Sequence, residues 1–362
     1  MQKRSWASVA THYAIALVAL GTLTACDDSA SSAPLQIDGI WISRAELAEL
    51  PLSGQAWAQL LQVARVPAGR PDLADQKRGT NVRILAKALV HARTGDRTLR
   101  YEVIDGVMSA IGTEKGGRTL SLGRKLIAYV IAADLVKLPP DEDQRFRAWL
   151  RDVLNRNLKG RTLRSTHESR PNNWGTHAGA SRVAVAAYLG DRREIERAAR
   201  VFRGWLGDRE SYADFDWGSL SWQADRERPV GINPVGATRD GHSIDGVLPD
   251  DQRRAGIFTW PPPKENYVYG ALQGALAQAV ILSRAGFDVW EWEERALLRA
   301  LRWLHEEANF PPAGDDVWLL PLYDHFYATN FWNGAPTQPG KNVGWTGWTH
   351  GNRTHPSDKT QF

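Results

Sequence analysis

Two kinds of helical segment alternate along this chain, and that alternation constrains the fold more than any other feature. Ala178 to Leu189 and Val268 to Leu282 are apolar almost all round. Asp191 to Arg203 and Glu291 to Glu307 carry an apolar stripe and a charged face. A helix that is apolar on every side must be covered on every side, whereas an amphipathic one needs only one partner face. Further runs at helical spacing cover Gln76 to Ala92, Arg97 to Ile111 and Leu120 to Val136. Ser43 followed by Glu46 has the spacing of a capping box, and a helix restarts after Pro139-Pro140 with acidic residues. Strand alternation is scarce. The pattern predicts an all-α fold, with covered helices inside and half-covered helices outside. An incomplete (α/α)n toroid of antiparallel pairs meets that demand. A solenoid would show a fixed-period repeat, and none is present.

Two stretches stand apart from the helices. Tyr212 to Lys264 is rich in Gly, Pro, Asp and Trp, and the tail after Asn330 is similar. Long irregular segments in a compact domain are usually functional, so both are expected over one end of the ring. The chain has 16 tryptophans among 362 residues. Indole faces suit flat apolar surfaces such as sugar rings, which makes Trp174, Trp222 and Trp260 candidates for substrate contact. The net charge of +4 is spread without a basic block, which argues against nucleic acid as partner.

The first residues read as an export signal. Lys3 and Arg4 precede an apolar stretch from Ala14 to Leu20, which is too short to span a bilayer comfortably. Leu23-Thr24-Ala25-Cys26 resembles a bacterial lipobox, and Cys26 is the only cysteine in the chain. The expected organisation is a lipoprotein signal peptide over 1–25, a tether over 26–34 and one toroid domain over 35–362. The mature chain would be exported, monomeric, and held at a membrane through lipid on Cys26.

Arg170 to Gly179 reads RPNNWGTHAG at the mouth of an apolar helix. An asparagine there is a good N-cap. Asn173 and His177 lie four apart and share a helix face. An amide, an imidazole and a helix N-terminus together suit an anion. Downstream stand DGVLPDDQRR (Asp245 to Arg254) and ENYVYGALQ (Glu265 to Gln273).

These three motifs, in this order, resemble those of the alginate lyases and related (α/α)-toroid lyases of uronate polymers. The resemblance runs from Pro171 to Arg284. It matches Asn172 and Asn173 to the family's asparagines. It matches Asp245, Gly246, Pro249 and Arg254 to its second motif, with Asp251 in place of a glutamate. It matches Tyr267 to the catalytic tyrosine, and leaves Tyr269 as the other candidate because a TWPPPK loop intervenes. The family's histidine position holds Trp174 here, so His177 or His242 would replace it. The resemblance implies an acidic polysaccharide as substrate, no cofactor, and cleavage by β-elimination. No third ligand joins His242 and Asp245 at metal spacing, and no metal is expected.

Elimination removes the proton on C5 beside the carboxylate and expels the C4 oxygen. The carboxylate must be neutralised for this to proceed. Asn173, His177 and Arg254 are the candidates for that role. A tyrosine is a base only when ionised, and free tyrosine titrates near pH 10. One tyrosine can serve as both base and acid only if proton and leaving group share a ring face. β-1,4-Linked mannuronate and glucuronate have that geometry. In the opposite geometry His242 or His177 would be the base. Two other functions compete. A glycoside hydrolase would need two carboxylates across the bond, with Asp214, Asp216, Asp250, Asp251 and Glu265 available. A non-catalytic sugar-binding lipoprotein would need only the tryptophans and the anchor.

Overall fold

The computed structural model describes Leu35 and residues 37–351, all within one compact unit. The expected signal segment, tether and Cys26 lie outside the described residues. The first half carries α1 (Arg44–Glu49), α2 (Gln55–Arg65), α3 (Thr80–Thr94), α4 (Arg97–Ala110), α5 (Thr119–Val136), α6 (Pro140–Val153) and α7 (Leu163–Ser169). The second half carries α8 (Asn173–Leu189), α9 (Arg192–Leu206), α10 (Pro249–Gln252), α11 (Tyr267–Arg284), α12 (Trp292–Glu306), α13 (Leu320–Tyr327) and α14 (Thr346–Thr349). Two-residue strands β1 (Thr238–Arg239) and β2 (His242–Ser243) pair antiparallel in the long loop.

The inner layer is α3, α5, α8 and α11, each packed on the next. Nearly every residue of α5, α8 and α11 is buried, as their all-round apolar sequences require. The outer layer is α2, α4, α7, α9 and their neighbours, each packed against an inner helix. Outer α4 runs antiparallel to inner α3. Gly106 lies under Ile84, and Glu102 reaches Lys87 at 2.6 Å. The architecture is the all-α, double-layered toroid that the alternation predicts. A fully buried Leu or Val contributes about 1.5–3 kcal/mol, so such a shared inner layer is worth more than any surface pairing.

Two glycines set the inner spacing. A Cβ at Gly123 would come 2.9 Å from Ala178 N, and one at Gly274 would come 2.4 Å from Thr176 C. Both helices therefore press their backbones against α8. Ser181 ties the first contact, donating to Gly123 O at 2.8 Å and accepting from Ile127 N at 3.1 Å. Helices α8 and α11 run parallel, with Asn173 against Gly270 and Gly179 against Gln278.

The ring is completed between α11 and α3 by non-helical chain. Asn81 donates to Lys341 O and Asn342 O, both at 3.2 Å. Asn342 donates to Gln273 O at 2.8 Å. Near the other end of α11, Arg284 pairs with Glu46 at 2.9 Å and donates to Gly39 O. The tail thus lies over the end of the ring where α3, α8 and α11 begin. The loop after α9 reaches the same end, since Asp216 N donates to Ser169 O at 2.8 Å just before α8.

The start of α3 differs from its periodicity. Residues 74–77 are held in turns by Asp72 and Asp75, whose carboxylates accept from Ala74 N at 2.9 Å and Lys77 N at 2.7 Å. The helix starts only at Thr80.

Candidate active site at the mouth of the inner helices

Helix α8 begins with two asparagines in different roles. Asn172 is the N-cap. Its Oδ1 accepts from Trp174 N at 3.1 Å and its Nδ2 donates to Asp250 Oδ2 at 2.8 Å. That occupies the side chain in the framework, a correction to its expected contact with substrate. Asn173 is fully buried, and neither Nδ2 nor Oδ1 has a hydrogen-bond partner. Its backbone N–H donates to Asp251 Oδ1 at 3.2 Å. The short α10 therefore brings two acidic side chains to the positive end of α8. Asp250 is well served, accepting also from Gly218 N at 3.0 Å and Arg253 Nε at 2.7 Å. Asp251 is not, since its Oδ2 is buried without a partner. Burial, and then the adjacent Asp250, push its carboxyl well above the usual range.

One turn on, His177 is fully buried with both ring nitrogens unpartnered. Burial, and then the charge of Arg124, hold it well below the usual histidine range, so it is neutral. Lys341 and Lys125 act on it in the same direction. Trp174 is half-buried beside them.

Tyr267 is the first residue of α11 and is 40% exposed. The Arg254 guanidinium lies 3.6 Å from its ring centroid, within cation–π range. Arg124 of α5 is also in electrostatic reach of Tyr267, and of Asp315 and Asp316. One phenol therefore feels two guanidiniums from distant parts of the sequence.

Arg124 also lines a cleft of about 600 Å³, together with Asn81, Lys125, Asp315 and Lys341 among others. Lys125 is nearly buried, donating to Arg78 O and lying 3.3 Å from Asn81 Oδ1. Burial lowers its ammonium to about 8. Lys341 pairs with Asp315 at 2.9 Å. Asp316, pushed up to about 6 mainly by burial, accepts from Gln273 Nε2 at 2.7 Å.

Two other expected residues are buried in the core. Tyr269 is fully buried and its hydroxyl donates to Phe310 O. Trp222 is fully buried, packed on Phe258 and Trp303, with its Nε1 donating to Gly256 O at 3.1 Å. Both belong to the core, a correction to their expected place in the substrate site. His242 stacks on Trp260, with centroids 4.3 Å apart and planes within 6°. His242 lies in β2 and Trp260 in the stretch between α10 and α11. Arg124, Lys125 and Lys341 were not among the sequence candidates. The signal available was two adjacent cations inside the mostly apolar α5. Among the described residues no three His, Cys, Asp or Glu side chains are grouped to hold a metal ion.

Fold and site together define an all-α toroid whose open end gathers a tyrosine, neutral polar groups and an excess of cations. The model of the alginate lyase family matches residues 97–212, from α4 to just past α9. Over that segment the chain is similar to the alginate lyases. Arg124, Asn173 and His177 fall within the matched segment, whereas Arg254 and Tyr267 lie beyond it. Among solved structures, the chain is similar to the crystal structure of an alginate lyase from Bacteroides ovatus. The TM-score is 0.47 at 14% identity, covering 70% of this chain and 68% of that one. No curated protein matches.

Proposed function

We propose that the protein cleaves a β-1,4-linked uronate polymer, mannuronan or glucuronan, by β-elimination. The observation that carries this reading is Tyr267, half-exposed at the ring mouth with Arg254 on its face and Arg124 nearby. Tyr267 takes the C5 proton, and the electron pair forms the C4–C5 double bond. The C4–O bond breaks, and the leaving oxygen takes that proton back from Tyr267. The products are a chain with an unsaturated uronate at its non-reducing end and a chain with a new reducing end. Arg254 and the cleft cations offset the charge on the substrate carboxylate. Asn173 and His177, neutral and without partners, supply donors behind them for the enolate-like intermediate.

Three of the five carboxylates a hydrolase could use are engaged otherwise. Asp250 and Asp251 are buried against the start of α8, and Glu265 accepts from Tyr267 N at 3.0 Å. Offering mannuronan, glucuronan and guluronan separately tests the assignment. One tyrosine acting on a single ring face predicts unsaturated product from one or both of the first two and little from guluronan. Equal cleavage of guluronan would require a second group as base.

Export and lipid anchoring at Cys26 are part of the same proposal and rest on the sequence alone. Incorporation of labelled fatty acid that is lost in Cys26→Ser is the expected result. Equal labelling of the variant would remove the anchor.

A further inference from the structure

The outer helices α6 and α12 mix acidic and basic residues. Helix α9 does not: it carries five arginines against Glu194 and Glu196. Glu194 is buried, and Arg164 and Arg182 donate to its carboxylate. Arg203 pairs with Asp208 at 3.0 Å. Arg193, Arg197 and Arg200 are exposed and, spaced four and three apart, share one helix face with the half-buried Glu196. Arg197 reaches Glu194 Oε2 at 3.1 Å, whereas Arg193 and Arg200 form no ion pair among the described residues. The chain enters the domain at the start of this helix. Leu35 N donates to Gly190 O at 3.2 Å, next to Asp191, the N-cap of α9. Cys26 lies nine residues before Leu35, and such a stretch reaches about 30 Å at most. Helix α9, with 15 residues, is about 22 Å long. The mouth lies at the other end of α8, 17 residues and about 25 Å from this entry.

We infer that the exposed arginine face of α9 docks on an anionic phospholipid surface. The inference rests on the anchor reading above and is independent of the lyase reading. Charge complementarity and placement carry it. Basic side chains are drawn to an anionic bilayer once they come within a Debye length of it, and a guanidinium matches a phosphate group in shape as well as charge. A lipid on Cys26 keeps the whole face within reach of the bilayer and makes the encounter intramolecular, so a few weak contacts suffice. The lipid fixes the chain to the membrane, and α9 fixes which side of the toroid faces it. The mouth, at the far end of α8, stays away from the point of attachment.

The test places the full lipidated chain on vesicles of phosphatidylcholine, alone or mixed with phosphatidylglycerol, that carry a headgroup nitroxide quencher. Cys26 is the only cysteine, so with lipid on it an introduced thiol takes the fluorophore alone. Glu196→Cys reports from the arginine face, and Tyr101→Cys, on the 68% exposed Tyr101 of α4, from another outer helix. On anionic vesicles quenching should be several times stronger at position 196 than at 101. The difference should vanish on phosphatidylcholine alone, in high salt, and when Arg193→Gln, Arg197→Gln and Arg200→Gln are combined. That triple variant should keep the parent's melting temperature, because Glu194 keeps Arg164 and Arg182, and the salt series decides the matter without it. Equal quenching at the two positions, or a difference indifferent to lipid charge and salt, overturns the docking. A label at 196 that responds instead to mannuronan or glucuronan on neutral vesicles makes the face a polymer site and also overturns it. If the chain floats with anionic vesicles but position 196 is not preferentially quenched, the docking fails and the anchor stands. If the chain does not float with either vesicle, both fail.

Discussion

Helix α8 carries buried polar chemistry at two places, and they are treated differently. Toward its C-terminal half, Arg182 is 1% exposed and donates to Glu194 Oε1 at 2.7 Å. Glu194 also receives Arg164 at 2.8 Å, and Arg182 reaches Glu168 at 2.8 Å. That network ties α7, α8 and α9 together. At the N-terminal end, Asn173 and His177 are as deeply buried but have no partners, and Asp251 beside them is half-satisfied. An unsatisfied buried polar group costs about 1–3 kcal/mol. A fold keeps such groups where something other than stability is served. The paired end holds the toroid together, and the unpaired end is where a ligand would complete it.

The largest expected effect comes from the unpaired end. Tyr267→Phe should reduce kcat about a thousandfold, within the range for loss of a general acid–base group, while the melting temperature stays with the parent. Steady-state rates beside a thermal melt check both halves.

Next comes the paired end. Arg182→Met removes one of the three arginines that Glu194 receives, together with the pairing to Glu168, and should cost about 1–3 kcal/mol of stability. Activity per folded molecule should hold, as read by denaturant unfolding and by rates well below the transition. A large loss of activity in the folded fraction would erase the contrast between the two ends.

Asn173→Leu sharpens the same contrast. With no hydrogen bond to lose, the variant should be as stable as the parent or up to about 1 kcal/mol more so, while kcat falls. A clear loss of both would make Asn173 a structural residue.

How much of this was legible in the sequence depends on whether local chemistry or packing decided it. Helix α11 spans Tyr267–Arg284, the stretch its apolar run marks, and Ser43 closes its capping box with Glu46, because both are settled by neighbours in sequence. That one asparagine of the pair caps α8 was expected, but which one is fixed by Asp250, 78 residues away. Trp222 is a candidate for substrate contact and Tyr269 for the catalytic tyrosine in the sequence, because composition and spacing cannot tell a buried ring from an exposed one. Arg124 has no visible role in the sequence because the groups that face it, Asp315, Asp316 and Tyr267, lie more than 140 residues away and meet it only in the fold.

A smaller effect should appear with pH. Burial, opposed by Asp75 and Asp72 and reinforced by Arg124, brings Lys125 to about 8. Its cleft charge is therefore present below pH 8 and lost as pH rises through that value. KM for an anionic polymer should rise severalfold across that interval. Lys125→Arg, which stays charged, should flatten the rise. The neighbouring Asn81 and the Arg78 carbonyl do not titrate.

Smallest is Tyr269→Phe, which removes a hydrogen bond to Phe310 O and should cost about 1 kcal/mol of stability. Activity should be nearly unchanged, which separates it from its neighbour two residues earlier.

The most direct measurement counts two products at once from mannuronan and glucuronan, the conjugated unsaturated uronate by ultraviolet absorbance and the new reducing ends by chemical titration. The account predicts one unsaturated end for each new reducing end on at least one of the polymers, with both lost in Tyr267→Phe. New reducing ends without absorbance would mean hydrolysis, and would contradict elimination by Tyr267.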